Sequence, residues 1–380
     1  MPPPSSNPML KINLSRFEPE TKMKPVKIAM MGMTHGHTRK YYQTLIENQK
    51  LDWVASCAAD ERAKEVYEIY KTGVPCYLDP EKMLAEHPDI EAIVLASANE
   101  KHFEEMKFCA ERGIHILSMK IPTFDMAEYD KMIEMVDKAG IVCQIELEMH
   151  YNPVVKRLQQ EIASGKLGKL LAIQATNITL SPVWAFPWQG SPEASYGKRV
   201  PLAPGDHRFR GGALCDHPHI FDLIRWLTGS DYDTVFAQVA PNLRKELEVE
   251  DMLMAAGKLK DGTAFLFDPS WSRLEERLKV PGPGWEVFPK RMEVNLTITG
   301  EKGMIQCDCF GPNVYHNGAP NDRYTVQYTY FDEWVGLIDE FVDCIRNHKQ
   351  PKINLKWHRQ TIACMNACYE SVQSGKSAAV

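Results

Sequence analysis

Apolar and polar positions follow two different rhythms along this chain. Between residues 26 and 145, short apolar runs recur at 26–31, 53–59, 76–78, 92–96, 115–119 and 141–145. Runs of that length with few polar interruptions are those of strands buried on both faces. The stretches between them, among them 38–46, 80–86, 103–112 and 126–139, carry apolar residues at helical spacing, and Gly113 and Gly140 stand where two of them end. Strand and helix in strict alternation predict an α/β domain with a doubly wound parallel sheet. After residue 153 the rhythm changes. One helix (154–164) precedes longer alternating segments at 170–179, 235–239, 252–259, 263–267, 292–299 and 303–307, and amphipathic helices at 334–347 and 358–374 close the chain. The second part therefore reads as an α+β domain with a large, mostly antiparallel sheet. The expected division is an arm over 1–25, a first domain over 26–150 and a second over 151–380, whose last helices are free to pack back on the first.

Ligands of doubly wound sheets bind beyond the carboxyl ends of the strands. The residues expected there are Gly32, Thr34, His35, Gly36 and His37 in a glycine turn after the first strand, Asp60 after the second, the loop Ser97, Ala98, Asn99 to His102 after the fourth, and Lys120 after the fifth. Strand, glycine turn and helix form the context of a dinucleotide site, since the backbone approaches the pyrophosphate and the helix start offers N–H groups. The motif is partial: Thr34 and His37 stand where G-x-G-x-x-G has glycine. Asp60 suits a ribose hydroxyl, and with Glu61 it would repel a 2′-phosphate, so NAD is expected over NADP. Asp60 could equally cap the following helix. His35 and His37 could touch the cofactor or substrate, or cap locally.

The densest chemistry lies later. Asp216, His217, His219 and Asp222 fall within seven residues, behind Gly211–Gly212. If a helix starts near Cys215, then Asp216, His219 and Asp222 share a face and form an acid/base set. The bland alternative is a polar helix start. Upstream, the loop 181–210 holds Trp184, Phe186 and Trp188, which could stack on a sugar ring or plug the loop onto its own domain. His207, Arg208 and Arg210 could grip an anionic group or form a solvated loop face.

Composition narrows the field. With 380 residues, 44% hydrophobic and 25% charged, the chain has the material of two globular domains. Its net charge of −6 argues against nucleic acid or an anionic membrane as the main partner. No apolar run approaches the roughly 20 residues of a membrane span, and residues 1–25 lack the apolar core of a secretory signal. Ten scattered cysteines without a CxxC pair read as buried thiols, and a cytoplasmic location is expected.

Several motifs in order resemble the Gfo/Idh/MocA family of nicotinamide-dependent sugar and cyclitol oxidoreductases. They are the loop ending at His102, Lys120 within 117–122, the crossing His150-Tyr151-Asn152-Pro153, and the segment from Gly211 through Asp222 to Gly229. The likeness runs from Val26 to the C-terminus and implies a Rossmann first domain that binds NAD. It assigns Lys120, Asp216 and His219 to catalysis, with His219 as base, and it sets His150, Tyr151, Asn152 and His217, beside Trp184, Trp188, His207 and Arg208, on the substrate side. Three departures stand out. Asp216 and His219 are three apart where the family has four, Met119 replaces a glutamate with the proline displaced to 122, and the glycine turn carries two histidines. A metal held by His35, His37, His217, His219 and Asp216 is not expected, since no pair has tight ligand spacing and NAD chemistry needs none.

The expected activity is NAD-dependent oxidation of a secondary hydroxyl, at ring C3 for example, of a sugar or glycoside. A glycoside hydrolase that oxidises C3 transiently, eliminates the aglycone, adds water and re-reduces is the alternative. A sugar- or nucleotide-sensing binding protein on the same scaffold is a third reading. The resemblance also implies a homo-oligomer formed through the second-domain sheet.

Overall fold

The structure is a computed structural model that describes residues 24–179, 191–273, 292–311, 313–318, 322–327 and 332–380. Trp184, Phe186, Trp188 and most of the N-terminal arm lie outside the described residues. The first sheet contains β1 (Val26–Gly32), β2 (Leu51–Ala58), β3 (Cys76–Tyr77), β4 (Ala92–Leu95), β5 (His115–Ser118) and β6 (Cys143–Ile145) in the order β3-β2-β1-β4-β5-β6. Every pairing is parallel, as the unbroken apolar runs require. Between the strands run α1 (Thr38–Glu47), α2 (Glu61–Ile69), α3 (Pro80–Glu86), α4 (His102–Ala110) and α5 (Met126–Ala139). Their starts are set locally. The Asp60, Asp79 and Asp125 side chains accept from first-turn N–H groups of α2, α3 and α5, and Pro80 occupies the first turn of α3. The strand order reverses between β1 and β4, so the ligand crevice opens at their carboxyl ends.

After α6 (Pro153–Ala163), the second sheet is built from β7 (Leu170–Ile178), β8 (Tyr232–Val239), β9 (Leu253–Leu259), β10 (Ala264–Asp268), β11 (Glu293–Gly300), β12 (Gly303–Asp308), β13 (Asn313–Gly318), β14 (Arg323–Gln327) and β15 (Ala378–Ala379). Its order is β14-β13-β12-β11-β7-β10-β9-β8-β15. All neighbours are antiparallel except β7 and β10, which run parallel. The helices α7 (Pro192–Tyr196), α8 (Ala213–Asp216) and α9 (Pro218–Thr228) lie between β7 and β8, and α10 (Glu333–Arg346) and α11 (Leu355–Ser374) follow β14.

Two helices from the end of the chain lock the domains together. α10 buries Trp334, Leu337, Ile338, Phe341, Val342 and Ile345 in the same cluster as Val26, Ile28 and Tyr41 of the first domain. α11 contacts α5 and β6 on one side and α9 and β8 on the other. Asp222 ties this joint. It accepts from Trp357 Nε1 at 2.8 Å and Thr361 Oγ1 at 2.9 Å, and it pairs with His150 at the domain crossing. All ten cysteines are free thiols, and among the described residues no helix is long and apolar enough to cross a membrane.

Because α10 completes the first-domain core, Phe341→Ala is expected to lower unfolding stability by about 3–5 kcal/mol. Val335→Ala, on the same helix but 49% exposed, is expected to stay within about 0.5 kcal/mol. Urea unfolding of the full chain checks both.

Candidate active site at the strand switch point

The crevice begins at Gly32, whose φ is +88° and where a Cβ would lie 2.5 Å from Ser97 Cβ. Only glycine lets β1 and the chain leaving β4 approach this closely. Thr34 and His35 both donate their N–H groups to the Ala96 carbonyl at 2.9 Å. The glycine turn is thus stitched to β4, and these two N–H groups serve the fold. The start of α1 lies at the same strand end and has no side-chain cap, although the Thr38 and Lys40 N–H groups donate to the His35 and His37 carbonyls at 3.1 and 2.9 Å. Asp60 is exposed at the end of β2, with one oxygen accepting from Ala63 N–H at 2.8 Å. At the end of β4, Ala98 is half-buried, and Asn99 Oδ1 is buried without a hydrogen-bond partner. An uncapped helix start, an exposed acid and an orphaned amide oxygen at the switch point fit NAD.

Lys120 is held from below by two buried imidazoles. His35 Nδ1 accepts the His37 N–H at 3.0 Å, so its Nε2 carries the proton and donates to the Lys120 carbonyl at 3.1 Å. His102 Nδ1 donates to the Ile121 carbonyl at 3.0 Å. Expected as cofactor contacts, His35 and His102 instead fix the backbone that presents the lysine. Ser97 is likewise turned inward and donates to Glu105.

The Lys120 ammonium donates to the Asp216 carbonyl oxygen and, at 3.3 Å, to Asp216 Oδ1. Both side chains are nearly buried, at 4% and 11% exposure. Asp216 Oδ2 accepts from Trp271 Nε1 at 2.9 Å, and His217 Nε2 stands 3.6 Å from it. Burial alone would raise this carboxyl; Lys120, His217 and the Trp271 N–H outweigh it and hold Asp216 down at about 2. Asp216 is therefore an anion near neutral pH, held against the Lys120 side chain.

The segment is not one helix. α8 ends at Asp216, His217 interrupts with non-helical backbone, and α9 begins at Pro218. The break turns Asp216 to Lys120 and separates it from His219, so the expected single face of Asp216, His219 and Asp222 does not form. Asp222 faces α11 instead. The Gly211–Gly212 approach is fixed by Glu250, which accepts from Gly212 N–H and Leu214 N–H at 3.2 Å each and from Tyr369 Oη at 2.8 Å. A Cβ on Gly212 would lie 1.8 Å from the Glu250 carbonyl oxygen.

Opposite Lys120 lies an acid cluster that the sequence reading passed over. Glu146 follows β6, and Glu148 opens the short 3-10 turn Glu148–Tyr151. Glu146 meets His37 Nδ1 at 2.9 and 3.2 Å through its two oxygens. His219 Nδ1 lies 3.7 Å from Glu148 Oε2, and both atoms are buried without a hydrogen-bond partner. The two carboxyls are within hydrogen-bonding reach of each other. Burial lifts Glu146 to about 7; burial and the neighbouring Glu146 lift Glu148 to about 8. Burial and then the Lys120 charge depress the imidazoles, His37 to about 4 and His219 well below its ordinary value. Near neutral pH His37 and His219 are therefore unprotonated imidazoles, and Glu146, which meets His37 Nδ1, is close to its own midpoint. Glu333, the first residue of α10, is also raised by burial, to about 7. The legible signal was two acids alternating in the apolar run 145–149 at the carboxyl end of a parallel strand.

The remaining expectations separate from the site. His150 pairs with Asp222, its ring edge-on to Trp226. Tyr151 Oη donates to Glu340, and Asn152 caps α6 and donates to the Cys309 carbonyl at 3.0 Å. These three hold the domain joint. His217 has both ring nitrogens engaged, Nδ1 with the Pro269 carbonyl at 2.6 Å and Nε2 with Thr179 Oγ1 at 3.2 Å. Arg208 is buried against Asp206, the Ala240 carbonyl and Asn242, Arg210 lies over the Tyr369 ring, and the His207 side chain is 86% exposed; no anion grip forms from them. Donor atoms of His35, His37 and Glu146 lie within 4.8 Å of one another, close enough for a metal. Yet His35 spends its Nδ1 lone pair on the His37 N–H and its Nε2 proton on Lys120, which leaves it no lone pair to offer.

A carboxyl raised from 4.5 to about 8 on folding binds its proton more tightly in the folded state. Its contribution is fully present below 4.5 and is lost as pH rises through about 8. Glu148→Gln is therefore expected to flatten the fall in stability across that window and to raise the melting temperature at its alkaline end. Thermal melts of both proteins in a pH series read the difference.

Comparison with known proteins places the chain. Residues 26–147 match the model of an oxidoreductase family with an NAD-binding Rossmann fold, and residues 155–306 match that of the GFO/IDH/MocA C-terminal domain. The chain is 24% identical over 288 residues to myo-inositol 2-dehydrogenase of Thermotoga maritima, an alignment covering 73% of this chain and 78% of that protein. It is 21% identical over 296 residues to 2,7-anhydro-N-acetylneuraminate hydratase of Mediterraneibacter gnavus, covering 76% and 70%. Among solved structures, an oxidoreductase from Agrobacterium radiobacter in complex with NAD+, L-tartaric acid and magnesium superposes with a TM-score of 0.76 at 15% identity, over 94% of this chain and 98% of that one. With both of its domains matched in order, the chain belongs to the Gfo/Idh/MocA family of oxidoreductases, and its first domain is the family's NAD-binding Rossmann domain.

Proposed function

We propose that this protein is an NAD-dependent dehydrogenase of a secondary hydroxyl on a sugar, glycoside or cyclitol. The observation that carries the reading is the buried Lys120–Asp216 pair with the unprotonated imidazole of His219 in the same crevice. When bound, NAD supplies the hydride acceptor. Gly36, the start of α1, Asp60 and Asn99 would hold it. Lys120 orients the reacting hydroxyl and stabilises the alkoxide character that builds on oxygen. His219 takes the hydroxyl proton, because a carbinol gives up hydride only as its O–H bond opens. Asp216 keeps the lysine in place and compensates its charge, which would be costly to bury alone. Thr34 and His37, at the same turn, line the approach to this centre.

One observation favours a second reading. Glu146 and Glu148 supply protonatable groups beyond what hydride transfer needs, and a relative carries the name of an anhydro-sugar hydratase. Transient oxidation at C3 acidifies the neighbouring C–H; elimination, water addition and re-reduction would then give a hydrolase or hydratase with no net redox change.

The outer face of the second sheet supports a homo-oligomer. Phe236, Ala256 and Leu266 lie directly opposite one another across β8, β9 and β10. Phe236, Leu266 and Met254, two residues from Ala256 on the same face, are 37%, 49% and 54% exposed. Apolar side chains grouped on an open sheet face mark an interface. The ten free thiols suit a reducing compartment, and a cytoplasmic enzyme is the reading we adopt.

Purified protein with added NAD should form reduced nicotinamide, read by absorbance, with at least one member of a panel of cyclitols, free sugars and glycosides. Lys120→Ala and His219→Ala should each lower the rate by roughly 10²–10⁴-fold. Product release or hydration with catalytic NAD and no net absorbance change would select the second reading, and normal function of both variants would remove the enzyme reading. The double variant Met254→Glu, Leu266→Glu should reduce the light-scattering mass to the 43.3 kDa of one chain; an unchanged mass would refute this interface.

A further inference from the structure

We propose that His219, Glu148, Glu146 and His37 form a proton relay that carries the hydroxyl proton from the reacting carbinol out to the rim of the crevice. The inference rests on the dehydrogenase reading of the same site. Its basis is geometric. The four groups come from separate places in the chain: His37 at the glycine turn, Glu146 and Glu148 after β6, and His219 on α9. They meet in sequence. His219 Nδ1 faces Glu148 Oε2 at 3.7 Å, the two carboxyls adjoin, and Glu146 Oε1 sits 2.9 Å from His37 Nδ1. The two orphaned buried atoms in this set, His219 Nδ1 and Glu148 Oε2, face each other. That is where a proton would pass once His219 becomes an imidazolium.

Only the last member of the row reaches the surface. Glu146 is fully buried and Glu148 and His219 nearly so, whereas the His37 side chain is 31% exposed. Among the described residues, neither glutamate has a lysine or arginine within ion-pair distance. Two adjoining buried carboxyls with no cation in ion-pair contact share one proton, since both cannot ionise cheaply. The pair can therefore accept at one end and release at the other.

The proton balance is simple. The carbinol O–H bond breaks and its proton goes to His219; the proton on His219 Nδ1 passes to Glu148, one passes from Glu148 to Glu146, and one from Glu146 to His37, which releases one to water. One proton leaves the substrate and one reaches solvent. The electron pair leaves separately with the hydride, so the relay changes no oxidation state. In the reverse direction the row delivers the proton that a ketone needs on reduction. Lys120, His217 and His150 face His219, Lys120 and Asp216 face His37, Lys120 also acts on Glu146, Tyr41 faces both carboxyls, and Glu333 faces Glu148; any of these can shift the row's titration, and Glu333 is a confounding acid.

The test needs no substrate. In the full chain with NAD bound and with imidazole nitrogens labelled, the His37 and His219 resonances are followed through pH by NMR. A relay makes their titrations interdependent, each showing two steps. Glu148→Gln should collapse His37 to a single step and move its midpoint, and Glu146→Gln should do the same to His219. Glu333→Gln should leave the coupling in place. If Glu148→Gln does not fold, as judged by circular dichroism, Glu146→Gln carries the test alone. Independent single-step titrations in the wild type, or a His37 curve indifferent to Glu148→Gln, would overturn the relay. Coupled titrations without oxidation of any polyol would keep the acid–base row and remove the dehydrogenase reading. Reduced nicotinamide with uncoupled titrations would do the reverse.

Discussion

The site depends on one buried ion pair, Lys120 with Asp216. A lysine in a closed crevice is stable as a cation only if its charge is answered, and removing either partner of such a pair costs about 3–5 kcal/mol. Here the answer comes from the other domain, through a carboxylate that Trp271 and His217 also hold. The pair therefore does two things at once. It presents an ammonium group at the end of β5, and it ties the two domains at the crevice. The surrounding structure is arranged to keep it there: His35 and His102 hold the Lys120–Ile121 backbone, and Glu250 holds the glycines before Asp216.

The same positive charge organises the titration of its neighbours. After burial, Lys120 is the next cause that lowers His219 and His37, so a base is present unprotonated near neutral pH. The neighbouring glutamates move the other way, because burial favours their protonated forms and the Glu146 charge raises Glu148 further. Neutral imidazole on one side and protonatable carboxyls on the other form an acid and a base from environment alone. A shortened spacing between Asp216 and His219 fits this division: one acid serves the lysine, and a different acid, Glu148, stands by the histidine.

Much of the fold was legible because its signals are periodic. The apolar runs of the first domain are long enough to identify buried parallel strands, and Lys120, Asp216 and His219 lie where strand ends and a glycine-led break concentrate chemistry. What the chain did not disclose has physical causes. β13, β14 and β15 are short or edge strands with little apolar contrast; β14 alternates only between exposed and half-buried positions. The break at His217 depends on tertiary contacts to Asp216 from Lys120 and Trp271, which helical spacing cannot foresee. His35, His102, His150 and Arg208 have the right residue type at the right strand ends or loops, but His35 and His102 meet backbone carbonyls, His150 an acid distant in sequence, and Arg208 folds back on Asp206 and the Ala240 carbonyl. Glu146 and Glu148 were visible as acids in an apolar run, a conflict that a buried site explains.

The most direct measurement is a crystal structure of the chain with NAD and a bound polyol. The account predicts one ligand hydroxyl within hydrogen-bonding distance of both Lys120 Nζ and a ring nitrogen of His219, with its carbon facing the nicotinamide ring. A ligand whose hydroxyls all lie away from Lys120, or a nicotinamide ring remote from the Lys120–Asp216 pair, would contradict it.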